Sequence, residues 1–119
     1  MNKTILIIED EEEILYTLRD FLELEGYQVL TALNGFEAIQ LLEKSVMPNL
    51  ILLDMKMPIM NGWEFASAFL AKYDHQCPIV ITTAAGDAAQ RAKDINANDW
   101  ISKPFELDTL LEKIKQNEL

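Results

Sequence analysis

Apolar residues along this chain arrive in two rhythms. Five short runs are almost continuously apolar and partly β-branched: TILII at Thr4–Ile8, QVLT at Gln28–Thr31 with Ala32 at its edge, LILL at Leu50–Leu53, IVIT at Ile79–Thr82 and WIS at Trp100–Ser102. Continuous rather than alternating apolarity predicts parallel strands covered on both faces. Between the runs the spacing becomes helical. Ile14, Leu15, Leu18, Phe21 and Leu22 form one stripe of a helix from about Glu12 to Glu25, and Gly26 suits the position just past its end. Asn34 with Glu37, and Asn61 with Glu64, have capping-box spacing, which predicts helices starting near Gly35 and Gly62. A further helix starting near Asp87 carries Ala88, Ala89, Ala92 and Ile95, and the last carries Leu107, Leu110, Leu111 and Ile114.

Strand and helix thus alternate five times, which predicts an α/β fold with right-handed crossovers and helices on both faces of a parallel sheet. Sheets of this kind bind ligands beyond the carboxyl ends of their strands. Those ends carry the chemistry here: Glu9 and Asp10 after the first strand, Asp54 after the third, Thr82 and Thr83 after the fourth, Lys103 followed by Pro104 after the fifth. Asp54 raises the sharpest question, because a charge closing an apolar strand is costly unless it is paired, hydrated or bound to metal. Carboxylates gathered on neighbouring strand ends repel one another unless a cation sits among them. Oxygen donors without a nearby His favour Mg²⁺ over softer metals. The Lys103 charge and a Thr83 hydroxyl suit an anion rich in oxygen, such as a phosphoryl group.

Composition narrows the partners. With 119 residues the chain is the size of one domain, 1–119, and no interdomain linker or internal repeat interrupts it. Twenty acidic residues against ten Lys plus Arg give a formal net charge of −10, which repels nucleic-acid phosphates and anionic lipid, so direct nucleic-acid binding is not expected. Apolar runs are too short to cross a bilayer and the N-terminus lacks a signal-peptide core, which argues against membrane insertion and secretion. Cys77 is the single cysteine, in keeping with a reducing, cytoplasmic setting. His75 and Cys77, in a loop before Pro78, have no companions with metal-ligand spacing. Met55, Met57 and Met60 read as core filling, and Trp63 as a partly buried packing residue.

The strand-end residues stand in motifs: IIEDE after the first strand, DMKMPIMNG from Asp54, TTAA after the fourth strand and SKPF after the fifth. In these motifs, and in EGYQVLTALNGFEA and NANDWISKPF, the chain resembles a receiver domain of the two-component response regulators over essentially its whole length. The resemblance implies a three-layer, flavodoxin-like (βα)5 fold with strand order 2-1-3-4-5. It implies that Asp54 is a phosphoacceptor, taking a phosphoryl group from a histidine kinase or phosphotransfer protein, with Thr83 and Lys103 assisting. It implies Mg²⁺ held by Asp10, Asp54 and the backbone carbonyl of Lys56, with Glu9 contributing directly or through water. Thr83 and Trp100 would form the switch, reshaping the helix-four, strand-five and helix-five face for a downstream protein target. Such a chain is a signalling switch whose only chemistry is its own phosphorylation and autodephosphorylation, not an enzyme.

Departures from the family pattern qualify that picture. Trp100 is bulkier than the usual Tyr or Phe, so its inward rotation needs a larger void. Glu9 replaces the commoner Asp and reaches one methylene further. Asn96 stands where Gly is common and tolerates positive φ. Lys56 and Ala85 flank the path to Asp54. The alternative is a constitutive interaction module of the same fold that works without phosphorylation. A phosphatase of the aspartyl-nucleophile class would need a second acid two residues after the nucleophile, where Lys56 stands. The sequence suits a single-domain regulator or a receiver taken from a longer one.

Overall fold

Each apolar run becomes a strand and each amphipathic stretch a helix, in the order β1 (Thr4–Ile8), α1 (Glu12–Leu24), β2 (Gln28–Ala32), α2 (Gly35–Lys44), β3 (Leu50–Asp54), α3 (Gly62–Tyr73), β4 (Ile79–Thr83), α4 (Ala88–Asp94), β5 (Asp99–Ser102) and α5 (Leu107–Asn117). These elements belong to a computed structural model that describes residues 2–57, 59–84, 86 and 88–119. The expected helix start at Asp87, Ala85 beside the path to Asp54 and Pro58 of the DMKMPIMNG loop lie outside the described residues. The strands form one parallel sheet in the order β2-β1-β3-β4-β5, which is the expected flavodoxin-like topology. Its register sets Ile8 beside Leu53, Asp54 beside Thr82 and Thr83 beside Ser102.

Strand residues alternate between two cores because successive side chains leave opposite faces of a sheet. Leu6, Ile8, Ile51, Leu53, Ile79 and Ile81 face α2, α3 and α4, where Phe65 and Phe69 are fully buried. Ile5, Ile7, Leu50, Leu52, Val80 and Ile101 face α1 and α5, meeting Leu15, Leu18, Leu22, Leu110 and Ile114. This double coverage is why β1, β3 and β4 read as unbroken apolar runs. Met55 and Met57 are buried in the first of these cores and Met60 packs against it. Cys77 is buried there too, and burial pushes its thiol up to about 12, so it is packing rather than chemistry.

The helix starts follow their caps. At α3, Asn61 accepts from the Glu64 N–H at 2.9 Å while Glu64 accepts from the Asn61 N–H at 3.0 Å, a full capping box. At α2, Asn34 accepts from the Glu37 N–H at 2.8 Å, but the Glu37 carboxylate turns one residue further back, to the Leu33 N–H at 3.0 Å, so the box is only half formed. Gly26 takes φ +97° just past α1, and Asn96 takes φ +56° just past α4, each a left-handed turn that suits its residue type.

Gly62 explains the last position of the DMKMPIMNG frame. Its N–H donates to the Met55 carbonyl at 3.2 Å, and a Cβ there would lie 2.8 Å from the Met55 Cα and 2.6 Å from its Sδ. The loop after Asp54 therefore folds directly onto the start of α3. Gly62→Ala is expected to cost about 1–3 kcal/mol through this overpacking, measured by urea unfolding; an unchanged midpoint would show that the loop gives way freely.

The two edges of the sheet differ in kind. At the amino edge, hydrogen bonds close the surface: Thr4 N–H to Asn49 Oδ1 at 2.8 Å, and Tyr27 O–H to Glu118 at 2.6 Å. At the carboxyl edge the strands release acids, hydroxyls and a lysine.

Candidate phosphoacceptor site

Parallel strands of equal register bring their last residues to one rim, and the central position of β3 places Asp54 between β1 and β4. Three carboxylates meet there: Glu9, Asp10 and Asp54 each offer an oxygen within 4.8 Å of the others. Asp54 is 5% exposed and Glu9 2%, whereas Asp10 is the most open of the three. Lys103 reaches across from the residue after β5, its Nζ 2.8 Å from Glu9 Oε1 and 3.4 Å from Asp54 Oδ1. Its base is fixed by its own N–H, which donates to the Thr83 carbonyl at 2.8 Å, and a cis peptide bond follows it before Pro104. Lys56 donates its N–H to Asp54 Oδ1 at 3.3 Å, which sets the main chain of the DMKMPIMNG loop beside the carboxylate. Thr83 is buried at the end of β4, one register position beyond the pair Asp54 and Thr82.

Charge decides the character of this rim. Burial and the Glu9 charge push the Asp54 carboxyl up to about 7, although Lys103 and the Lys56 N–H pull it the other way. Burial works against the Lys103 charge, yet the hydrogen bond to Glu9 and the Asp54 charge together hold its ammonium above the ordinary lysine range. The rim thus carries more negative charge than one lysine offsets. A cluster of hard oxygen donors with surplus negative charge fits a divalent cation of the Mg²⁺ type.

A pH dependence follows. A folded-state pKa raised to about 7 means that the folded protein holds a proton on Asp54 that the unfolded chain has released. Stability without divalent cation is therefore expected to fall as pH rises from ~5 to ~8, because the folded state binds more protons across that window. Thermal melts of the wild type and Asp54→Asn in a chelator would check this. A slope that is no flatter in the variant would assign the dependence to other groups.

The remaining expected site residue, Trp100, stands apart from the rim. It lies on β5 opposite Ile81, is 40% exposed, and has the Lys113 ammonium 5.3 Å from its ring centre. It borders a groove of about 320 Å³ with Gln90 and Lys93 of α4 and with Asn98. Beside it Asp99 is tied to α5 by Lys113 at 2.9 Å and by Asn117 at 3.0 Å. Burial disfavours the Asp99 charge, but those bonds and the Trp100 N–H hold the carboxyl below the usual range. Trp63 on α3 keeps 37% exposure, with the Arg91 guanidinium of α4 over its ring at 4.9 Å.

Two features of the site have no local signal in the sequence. One is the Lys103–Glu9 pair, separated by 94 positions. The other is an apolar groove of about 690 Å³ that opens beside Lys103, lined by Ile14 and Leu18 of α1 and by Pro104, Phe105 and Leu107. The α1 stripe was legible as an apolar helix face. That part of it stays open toward the β5–α5 turn is decided by packing.

Comparison with known proteins points the same way. The family model for the response regulator receiver domain matches residues 5–115. The sporulation initiation phosphotransferase F of Bacillus subtilis is 36% identical over 118 residues, covering 98% of this chain and 94% of that protein. Among solved structures, the chemotaxis protein CheY4 of Vibrio cholerae superposes with a TM-score of 0.88 at 29% identity, covering 98% of this chain and 99% of that one. The response regulator TrrA of Thermotoga maritima, solved in complex with Mg²⁺-BeF, gives 0.83 at 33% identity, covering 96% and 97%. The chain spans about half the length of the transcriptional regulatory proteins it also resembles. Among the described residues, no helix is long and apolar enough to cross a membrane.

Proposed function

This chain belongs to the response regulator receiver domain family, and we propose that it is a switch of two-component signalling that takes a phosphoryl group onto Asp54 and changes its protein-binding surface in response. The observation that carries this reading is the meeting of Asp54 with Glu9, Asp10 and the Lys103 ammonium on one rim.

In the proposed reaction an Asp54 carboxylate oxygen attacks the phosphorus of a phosphohistidine on a histidine kinase or phosphotransfer protein. The new P–O bond forms as the P–N bond breaks, and the imidazole leaves with its electron pair and takes up a proton. Lys103 lies within reach of oxygens developing charge at Asp54, so its ammonium stabilises the transferring group by position and charge. Mg²⁺, held by Asp10, Asp54 and the Lys56 carbonyl, would supply the remaining positive charge. Thr83, at the end of the neighbouring strand, would hydrogen-bond the phosphoryl oxygens and pass the change to Trp100 and the α4–β5–α5 face, where a downstream protein binds. Water attack on the aspartyl phosphate would reset the switch, so no separate substrate is turned over.

The test is intact mass after incubation with Mg²⁺ and acetyl phosphate, with tryptophan fluorescence read in the same samples. A gain of one phosphoryl group that needs both Mg²⁺ and Asp54, lost in Asp54→Asn, is the expected result. Failure to gain mass from acetyl phosphate and from phosphorylated histidine kinases would overturn it and favour the constitutive module of the same fold.

A further inference from the structure

We infer that Trp63 of α3 and Arg91 of α4 form a resting clasp, a contact outside the phosphoacceptor rim that holds α4 in place and sets how readily the chain switches. The Arg91 guanidinium lies over the Trp63 ring, 4.9 Å from its centre, within the range of a cation–π contact. The two residues belong to the two segments that leave the site. Trp63 is the second residue of α3, directly after Gly62, whose N–H closes on the carbonyl of Met55 next to Asp54. Arg91 stands in the middle of α4, the helix that follows Thr83 and β4. The stack thus bridges the chain leaving β3 to the chain leaving β4.

The packing of α4 makes such a contact count. The helix is seven residues long and buries Ala88 and Ala92, with Ile95 just past its end. A helix this short depends on packing for its stability, and an alanine methyl offers little apolar area. α3, by contrast, is twelve residues long and is fixed to the sheet by the fully buried Phe65 and Phe69. The Trp63 ring therefore gives α4 a broad contact on a firmly seated neighbour. On its other side α4 meets the groove of about 320 Å³ that Gln90 and Lys93 share with Trp100. It is held toward α3 and has room toward β5. A contact made only in the resting state lowers the population of the switched state by its own Boltzmann factor, about 2–5-fold for a cation–π contact at the surface. The clasp rests on the ring geometry; its effect on switching rests on the phosphoacceptor reading.

Amide hydrogen exchange followed by NMR on the full chain tests the clasp, in a double-mutant cycle of Trp63→Leu, Arg91→Met and both together. The cycle isolates the pair from any other contact of either side chain, and backbone spectra confirm that each variant is folded. Without Mg²⁺ or phosphodonor, each single substitution is expected to speed exchange of the α4 amides by about 2–5-fold. Ala97, whose N–H closes on the Ala92 carbonyl at 2.8 Å, is expected to follow them. The double variant is expected to exchange no faster than the singles. Effects that multiply, or no change in either single variant, would overturn the clasp. Titration of the same samples with beryllofluoride in Mg²⁺, a stand-in for the phosphoryl group, gives the second readout. Binding is expected to tighten by the same factor in each single variant and no further in the double. Faster exchange with unchanged affinity would overturn the regulatory role. A wild type that neither binds beryllofluoride nor gains mass from acetyl phosphate sinks the acceptor reading instead, and the exchange cycle still decides the clasp.

Discussion

Lys103→Met is expected to slow phosphorylation of Asp54 by acetyl phosphate by ~10²–10³-fold at saturating Mg²⁺, the scale found when a positioned charge-stabilising group is removed from a transition state. The same substitution leaves Glu9, Asp10 and Asp54 within 4.8 Å of one another without the ammonium that lies beside two of them. Glu9 loses its 2.8 Å partner while remaining buried, and leaving a buried charge without its partner costs about 3–5 kcal/mol. The sign of the pH dependence is specific. Asp54, pushed up to about 7 even with Lys103 present, is pushed further without it. The folded variant then holds protons that the unfolded chain has released, so its deficit relative to the wild type widens as pH rises from ~5 to ~8. Urea melts across that range, with Mg²⁺ present and absent, would measure the stability term, and the rate of mass gain would measure the chemical one. A variant phosphorylated at the wild-type rate would remove Lys103 from the reaction.

Phe65→Ala is expected to destabilise the fold by about 3–5 kcal/mol, the range for truncating a buried aromatic side chain. Phe65 lies on the first turns of α3, fully buried, with its ring 5.9 Å from that of Phe69, which in turn lies 5.2 Å from that of Tyr73. This aromatic row is the inner face of α3 against the sheet. The loop that carries Met55, Lys56 and Met57 leads into the same helix through the Gly62–Met55 contact, so loosening α3 also loosens the main chain beside Asp54. Equilibrium unfolding would show a large fall in midpoint, and hydrogen exchange would show the loss concentrated in α3 and the residues after β3. Equal loss of protection throughout the sheet would show that the site and α3 unfold only together. A fall below about 1 kcal/mol would mean that the neighbouring methionines collapse into the space, as flexible thioether side chains can.

Five strands, their parallel pairing and the gathering of reactive residues at one edge were legible in the sequence, because double burial writes itself as unbroken apolar runs and the α/β alternation fixes which ends face the same way. Boundaries at Thr4–Ile8, Gly35 and Gly62 match those expected, the last two because caps are local chemistry. The half-formed box at α2 shows the limit of such spacing: Asn34 caps as expected, but the Glu37 carboxylate is free to choose the Leu33 N–H.

Motif residues named the members of the site, yet not how they pair. That Lys103 is bonded to Glu9 and only near Asp54 depends on side chains rooted 94 and 49 positions away from it meeting at one rim. The same is true of Trp100, whose outward place beside Lys113 is set by where α5 packs on β5. Local propensity and periodicity determine which segments form and which face each other. Distances between charges are decided by the packing of elements distant in the chain, and on those distances the electrostatics of the site depends.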